Sequence, residues 1–274
     1  MLTNKENKIL KVAVSGSSGR MGKSIISQVI DNESYELVAA FDHPSSNLIG
    51  LDAAAFVGKK SGVLITSDLS TPPEVVPDVL IDFTLPDSTI NLLNYCAKHK
   101  IPAVIGTTGF SDEDRKKIYT FAKKYGAVFS PNMSPGVNIT FKLLENAASF
   151  FSDDYDVEIL ESHHRRKVDA PSGTALEMAK IISSVKQNLK KSSYRFNRTG
   201  TTGPRANDEI GFSVIRGGDI VGEHSVIFAG TGEVIELCHK SSSRESYTKG
   251  ALLASRFLSR NNPDLYSMFD VLGL

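Results

Sequence analysis

The chain has 274 residues, and its 31 lysines and arginines balance 31 aspartates and glutamates, so the formal net charge is zero. That length suits one large domain or two ordinary ones. The balanced charge argues against a chain whose main task is holding nucleic acid, which needs many uncompensated cations. Cys96 and Cys238 stand far apart and form no CxxC pair, which excludes a disulfide framework and a cysteine zinc signature. Both thiols are expected to be reduced and mostly buried. The opening stretch Met1–Lys8 is polar and lacks the apolar core of a signal peptide. No apolar run is long enough to span a bilayer, so a cytoplasmic setting is expected, with no membrane partner.

A short β-rich run, Ile9–Val14, ends in a glycine-rich turn, and a helix follows with Ile25, Ile26, Val29 and Ile30 on one face. Tyr35–Phe41 reads as the second strand, with Asp42 just past its end. This is a unit of the right size for a βαβ crossover. The alternation continues with strands at Val63–Thr66, Val79–Phe83, Pro102–Ile105 and Ala127–Phe129, and with helices near Asp87–His99 and from Ser111 to Lys124. Ser111 is the expected cap of the latter, whose first turn is acidic, as the helix dipole favours. Short apolar runs alternating with helices imply a mostly parallel sheet covered on both faces. Pro131–Gly136, rich in turn formers, marks a boundary. Beyond it come a helix near Ile139–Phe151, an alternating strand from Tyr155, and a helix near Thr174–Val185. The polar stretch Lys190–Asp208 has no periodicity and receives no element. Three β-rich segments follow, Gly211–Arg216, Ile220–Phe228 and Glu233–His239, whose short glycine turns predict an antiparallel meander. A last helix spans Glu245–Leu258. The fold class expected is α/β: a Rossmann-type dinucleotide-binding domain plus an α+β domain.

Gly16-Ser17-Ser18-Gly19-Arg20-Met21-Gly22 fits G-x-x-G-x-x-G. Glycines here permit a tight turn and close approach of a pyrophosphate, which then meets a helix N-terminus. Alone such a string is often just a turn; following a strand and opening a helix, it reads as a cofactor loop. Asp42 lies about 20 residues beyond the last glycine, where a carboxylate can accept hydrogen bonds from ribose hydroxyls. His43 stands where an arginine would suit the extra phosphate of NADP, so the expected cofactor is NADH, with NADPH tolerated.

Glu161-Ser162-His163-His164-Arg165-Arg166-Lys167-Val168-Asp169-Ala170-Pro171-Ser172-Gly173-Thr174-Ala175 is the most informative stretch. It ends a strand and begins a helix, and the N–H groups around Gly173 and Thr174 suit an anion. Five basic residues, His163 to Lys167, are expected to face the same region. Imidazole can donate a proton near neutral pH, and Lys167 can pair with a carboxylate. Taken alone, a basic run reads as a solvated loop. A nucleic-acid patch is set aside for want of net charge and stacking aromatics. A metal site is set aside because adjacent histidines on a strand point to opposite faces and no acidic cluster supports them.

These residues together resemble the 4-hydroxy-tetrahydrodipicolinate reductase (dihydrodipicolinate reductase) family. The resemblance covers nearly the whole chain: E-x-H-H-x-x-K-x-D-A-P-S-G-T-A from Glu161 to Ala175, Gly19–Gly22, Ile81–Thr84, Val104–Phe110, Asn132–Asn138, Gly218–His224 and His239–Arg244. It implies an NADH- or NADPH-dependent reductase of a cyclic dicarboxylate, in lysine (diaminopimelate) biosynthesis. His163 matches the family's proton donor or acceptor, and Lys167 its second proton-donating or substrate-orienting residue. His164, Gly173 and Thr174 match substrate contacts. Cofactor contacts are Gly16, Ser17, Ser18, Gly19, Arg20, Met21, Asp42, His43, Gly106, Thr107, Thr108, Ser130, Pro131, Asn132 and Met133. The family fold implies a dinucleotide domain at 1–132 completed by 245–274. It places an inserted substrate-binding and oligomerisation domain at 133–244, whose open mixed sheet builds a homotetramer. His43, Ser17, Ser18 and Met133 depart from residues common in the family. The rivals are another dehydrogenase on the same architecture, which would lack the His163–Thr174 constellation, and a non-catalytic NADH sensor, which needs no proton donor.

Overall fold

The computed structural model describes residues 8–72, 74–186 and 188–274; residues 1–7, which hold nearly all of the polar opening stretch, lie outside them. In chain order the first elements are β1 (Leu10–Ser15), α1 (Arg20–Ile30), β2 (Tyr35–Phe41), β3 (Ile65–Thr66), β4 (Val79–Asp82), α2 (Pro86–His99), β5 (Ala103–Ile105), α3 (Asp112–Tyr125) and β6 (Ala127–Phe129). Then come α4 (Pro135–Phe150), β7 (Asp156–His163), α5 (Gly173–Val185), β8 (Tyr194–Arg195), β9 (Ile210–Arg216), β10 (Gly222–Gly230) and β11 (Glu233–Ser241). The chain closes with α6 (Glu245–Leu258), β12 (Leu265–Tyr266) and α7 (Met268–Leu272). Two compact units result: one runs to Pro135 and resumes at Glu245–Leu274, the other is Gly136–Arg244.

The first unit is a parallel seven-stranded sheet in the order β12-β6-β5-β4-β1-β2-β3. Period-two alternation divides each strand between two cores. Val12, Val14, Val79, Ile81, Val104 and Val128 pack with Ile25, Ile26 and Val29 of α1 and Ala251, Leu252 and Leu258 of α6. Ala13, Leu80, Ala103, Ile105 and Ala127 face the other way, toward Leu92, Leu93 and Cys96 of α2 and Ile118, Phe121 and Ala122 of α3. A parallel sheet buried on both faces reads as continuous apolar runs, as these strands do. Ser111 caps α3: its side chain accepts from the Asp114 N–H, and the Asp114 carboxylate returns the bond to the Ser111 N–H. The unit continues past residue 132 because Met133 is buried in the α1–α6 core. Its carbonyl lies so close to Gly250 of α6 that a Cβ there would overlap it.

In the second unit the sheet order is β11-β10-β7-β9-β8, which corrects the expected meander. Only β10 and β11 form a hairpin, turning at Gly232 in left-handed backbone with φ 87°. β9 runs parallel to β7, and β10 runs antiparallel to β7 on its other side. The chain therefore crosses the end of β7 between β9 and β10, where the Gly217 N–H donates to the His163 carbonyl and the Arg165 N–H to that of Gly218. Glycine turns look alike in sequence whether they close a hairpin or cross a neighbouring strand. One face of the sheet buries Val157, Ile159, Phe212, Val226 and Phe228, with Phe151 stacked on Phe228 at 4.6 Å between ring centroids. Cys96 is buried but Cys238 is exposed, against expectation; it pairs with Ser225 on the opposite face. The polar stretch is held by ion pairs: Arg198 and Arg205 both grip Glu158, and Arg205 also reaches Asp156. Among the described residues, no helix is long and apolar enough to cross a membrane.

Gly250 is the sharpest test of this packing. Substituting Gly250→Ala improves helix propensity by about 1 kcal/mol but drives a methyl into the Met133 carbonyl. The expected outcome is a net loss of about 1–3 kcal/mol, the usual range for overpacking, read as a lower urea midpoint. A raised midpoint would show that α6 shifts freely.

Candidate functional site

Strand order in the first unit reverses at β1, which has β2 on one side and β4 on the other. The crevice at such a switch point is where open α/β sheets bind ligands. A cleft of about 630 Å³ lies there, lined by Gly16, Ser18, Asp42, His43, Thr84 and Asn91 among others. Gly16 turns with φ 70°, and a Cβ at Gly22 would overlap the Gly16 carbonyl, so the loop closes only on glycine. Gly19 is the N-cap of α1 and brings no side-chain cap bond, which leaves the helix start to an outside anion. Asp42 ties the end of β2 to this loop by accepting from the Ser18 N–H at 2.6 Å, and it also accepts from the His43 N–H at 2.8 Å. His43 is exposed, with Nδ1 2.7 Å from the Ser45 hydroxyl. These residues fit the adenosine pyrophosphate half of a nicotinamide dinucleotide.

The remaining expected cofactor residues fall into three groups. Arg20, Thr108 and Pro131 are exposed, and Met21, Gly106 and Asn132 are partly buried. Ser17, Thr107, Ser130 and Met133 are buried. Ser17 turns inward, its hydroxyl 3.0 Å from the carbonyls of Val14 and Phe41, so its side chain braces the loop. The Met133 side chain belongs to the core. Asp82, at the carboxyl end of β4, is a further buried group beside this cleft that no local pattern marks. Burial pushes its carboxyl above the ordinary range, against hydrogen bonds from Thr89, Thr84 and Thr107. Thr107 in turn accepts from the Thr84 N–H at 2.9 Å, so the turns after β4 and β5 are fastened together.

In the second unit, alternation on β7 puts Glu161 and His163 on one face. The Glu161 side chain is fully buried. One oxygen faces His163 Nδ1 at 2.5 Å, the other accepts the Ser172 N–H at 3.0 Å, and Arg216 binds both oxygens at 2.7 and 2.8 Å. Arg216 arrives because β9 pairs in parallel with β7, setting it opposite His163. Burial raises the Glu161 carboxyl, but His163, Arg216 and the Ser172 N–H outweigh it and hold the group at about 2. His224 of β10 sits opposite Glu161, with Nε2 2.8 Å from the Ser172 hydroxyl and its ring 5.1 Å from that of His163. Burial first, then the neighbouring His163, depress His224 to about 3, so it is neutral at physiological pH.

Ser172 is the N-cap of α5, its hydroxyl accepting from the Ala175 N–H. A Cβ at Gly173 would meet nothing, so the helix start is open. Lys167 donates to both oxygens of Asp169, each at 2.7 Å. The five basic residues do not share one environment. His163, His164 and Lys167 are partly buried, whereas Arg165 and Arg166 are exposed. A turn closed by the Lys167 N–H on the His164 carbonyl swings them outward. One segment thus holds Glu161, His163, Lys167, Ser172 and Gly173, and strand pairing brings Arg216 of β9 and His224 of β10 beside it; Glu161, Ser172, Arg216 and His224 have no role readable from the sequence alone. Glu161 was signalled by its place two residues before His163 on a strand. Arg216 and His224 depend on strand pairing that no local pattern shows.

The first unit has the architecture of a dinucleotide-binding domain, and the second gathers an imidazole on a buried carboxylate beside a helix start. Residues 10–133 match the family described as dihydrodipicolinate reductase, N-terminus, and residues 136–272 that described as dihydrodipicolinate reductase, C-terminus. The chain belongs to the dihydrodipicolinate reductase family. It is 51% identical over 265 residues to 4-hydroxy-tetrahydrodipicolinate reductase of Herminiimonas arsenicoxydans, covering 97% of this chain and 98% of that one. Among solved structures it is similar to a dipicolinate-bound dihydrodipicolinate reductase from Paenisporosarcina sp. TG-14, with TM-score 0.76 and 28% identity over 96% of this chain and 98% of that one. An amine dehydrogenase from Mycobacterium smegmatis, at 14% identity and TM-score 0.59 over 94% and 95% of the two chains, shares the fold.

The buried cluster sets a pH dependence. His224 lies below its ordinary 6.5, so the stability it confers is whole above that pH and drains away as pH falls toward about 3. Glu161 acts in the same direction lower down, whole above its ordinary 4.5 and lost toward about 2. The unfolding free energy from urea titrations should therefore fall as pH goes from roughly 7 to 5, by at most about 1.4 kcal/mol per unit for the one proton. His224→Gln should flatten that interval. An unchanged slope in the variant would count against the assignment.

Proposed function

We propose that this chain reduces 4-hydroxy-tetrahydrodipicolinate to tetrahydrodipicolinate in lysine biosynthesis, with His163 as proton donor and Lys167 as the cation that orients the substrate. The observation that carries this reading is the single segment Glu161–Gly173, which joins an imidazole on a buried carboxylate to an open helix start. NADH or NADPH, when bound, supplies the hydride. Gly16, Ser18, Gly19, Arg20 and Met21 would hold its pyrophosphate at the start of α1, and Asp42 its adenosine ribose. Gly106–Thr108 and Ser130–Asn132 would border the remainder.

The substrate is a dicarboxylate. One carboxylate docks at the N-terminus of α5, where Gly173 and Thr174 present backbone N–H groups and the helix dipole favours negative charge. Lys167 adds positive charge, and His164 helps orient the ring. The ring gains a hydride and a proton with net loss of water, and His163 provides the proton. Dipicolinate, the planar dicarboxylate named with the Paenisporosarcina structure, is a suitable non-reacting probe of this site. The setting is the cytoplasm.

The test follows oxidation of NADH and of NADPH while substrate is generated in place from pyruvate and aspartate semialdehyde by the condensing enzyme. Oxidation should depend on that coupling. His163→Ala and Lys167→Ala should each lower turnover by ~10²–10⁴-fold, the usual value of general acid catalysis, with NADH binding retained. Near-normal turnover in both would overturn the roles. Faster oxidation of NADH than of NADPH is the outcome expected from Asp42 and His43; the reverse would reassign those two. NADH binding with no oxidation would favour the sensor.

We also assign the open face of the second sheet to contacts between copies in a homotetramer. Ile215 and Val234 lie on one face by register and are 47% and 63% exposed, which an isolated copy would leave to water. Light scattering should give the mass of four copies; a monomer would remove the assignment.

A further inference from the structure

The proton donor and the anion-binding helix are held by the same side chain. This inference rests on the function proposed above and goes further within that site. We propose that Glu161, clamped by Arg216, is its positioning residue: it fixes His163 through Nδ1, so that Nε2 carries the proton to substrate, and it sets the start of α5 in register with that atom.

Three observations carry the argument. Glu161 divides its oxygens between the His163 ring and the Ser172 N–H, 2.5 and 3.0 Å away. A carboxylate accepts only, so Nδ1 bears hydrogen and Nε2 is the nitrogen left for transfer. Glu161 itself has no room to act as the acid: its side chain is fully buried, and Arg216 binds both oxygens. Lastly, Gly222 on β10 lies against the other side of the ring. A Cβ there would stand 3.1 Å from His163 Nε2. Gly222 does not have positive φ, so its backbone does not demand glycine, and the missing side chain leaves Nε2 uncrowded.

The charged and titratable groups facing His163 are Glu161 on its own strand, Arg216 on β9, and His224 on β10 with His239 beside it on β11. Lys167, paired with Asp169, lies on the following turn. Of these, Glu161 is the group that accepts from the His163 ring. In the step itself the Nε2–H bond breaks, its electron pair stays on the imidazole, and the proton passes to the substrate ring. The Nδ1–H stays on Glu161, and water returns the proton to Nε2 between turnovers.

The test has one arm independent of turnover. In protein labelled with ¹⁵N-histidine, the neutral His163 ring should show protonated Nδ1 and bare Nε2, and Glu161→Gln should mix the two tautomers. In the wild type, Nε2–H as the neutral form would overturn the proposal. In the kinetic arm, Glu161→Gln should lower kcat on the order of 10²-fold, with NADH binding kept. Gly222→Ala should lower kcat about tenfold by crowding Nε2 while keeping the Nδ1–H signature. A Glu161→Gln enzyme with unaltered kcat would also overturn the proposal, whereas a wild type without reductase activity would count against the function and leave the tautomer result standing.

Discussion

A buried carboxylate organises the second unit. An anion taken out of water costs several kcal/mol unless nearby donors replace its hydration, and Glu161 at the end of β7 is fully buried. Its four donor contacts come from three directions: His163 on its own strand, Arg216 on β9, and the Ser172 N–H ahead of α5. Each places a demand on the fold. Arg216 reaches the carboxylate because β9 lies beside β7 and runs parallel to it, ending opposite His163. The connection from β9 must then cross the end of β7, and it does so at Gly217 and Gly218. Had the three late strands formed a meander, β7 could not have stood between β9 and β10, with Arg216 on one side and His224 on the other. Satisfying one charge and choosing the sheet order are therefore the same structural event.

The same logic recurs in the first unit with neutral partners. Asp82 ends β4 in the core, surrounded by threonine hydroxyls and without a cation among its hydrogen bonds. Lacking a counter-charge, its carboxyl rises where that of Glu161 falls. The two carboxylates, one at the end of each sheet's central strand, show how the partner decides the direction of the shift. At Asp82 the product is rigidity: the turns after β4 and β5 are joined through Thr84 and Thr107, bordering the cleft whose other wall is the glycine loop.

What the amino-acid pattern could disclose follows from the range of the forces involved. Helix caps and periodic apolar faces are local, and Ser111, α1 and β2 stand where sequence places them. The glycine loop is legible because steric demands act within seven residues. The short strands β8 and β12 and helix α7 escaped notice. Tyr194–Arg195 and Leu265–Tyr266 are too short to show a period, and they exist as strands only by pairing with β9 and β6. The polar run from Lys190 to Asp208 carries no internal pattern because its order comes from Glu158 and Asp156, far back in the chain, gripping Arg198 and Arg205. The His163–Lys167 segment shows both sides: its chemistry is written in consecutive letters, but its division into inward and outward groups depends on a turn.

That turn bears on how a site can be rigid and still accept an anion. Lys167 is held by both oxygens of Asp169, so in this arrangement its ammonium already has a carboxylate. The two partners differ in exposure: Lys167 is 20% exposed and Asp169 55%. A pair so open to water is worth about 0–1 kcal/mol. Asp169 can return to solvent at small cost, whereas Lys167 would lose more by facing water alone in its half-buried position. Asp169 thus tethers the Lys167 side chain to its own turn. Glu161, sealed by Arg216, has no such exit. The segment sets one exchangeable carboxylate beside one that cannot exchange, and burial alone separates their tasks.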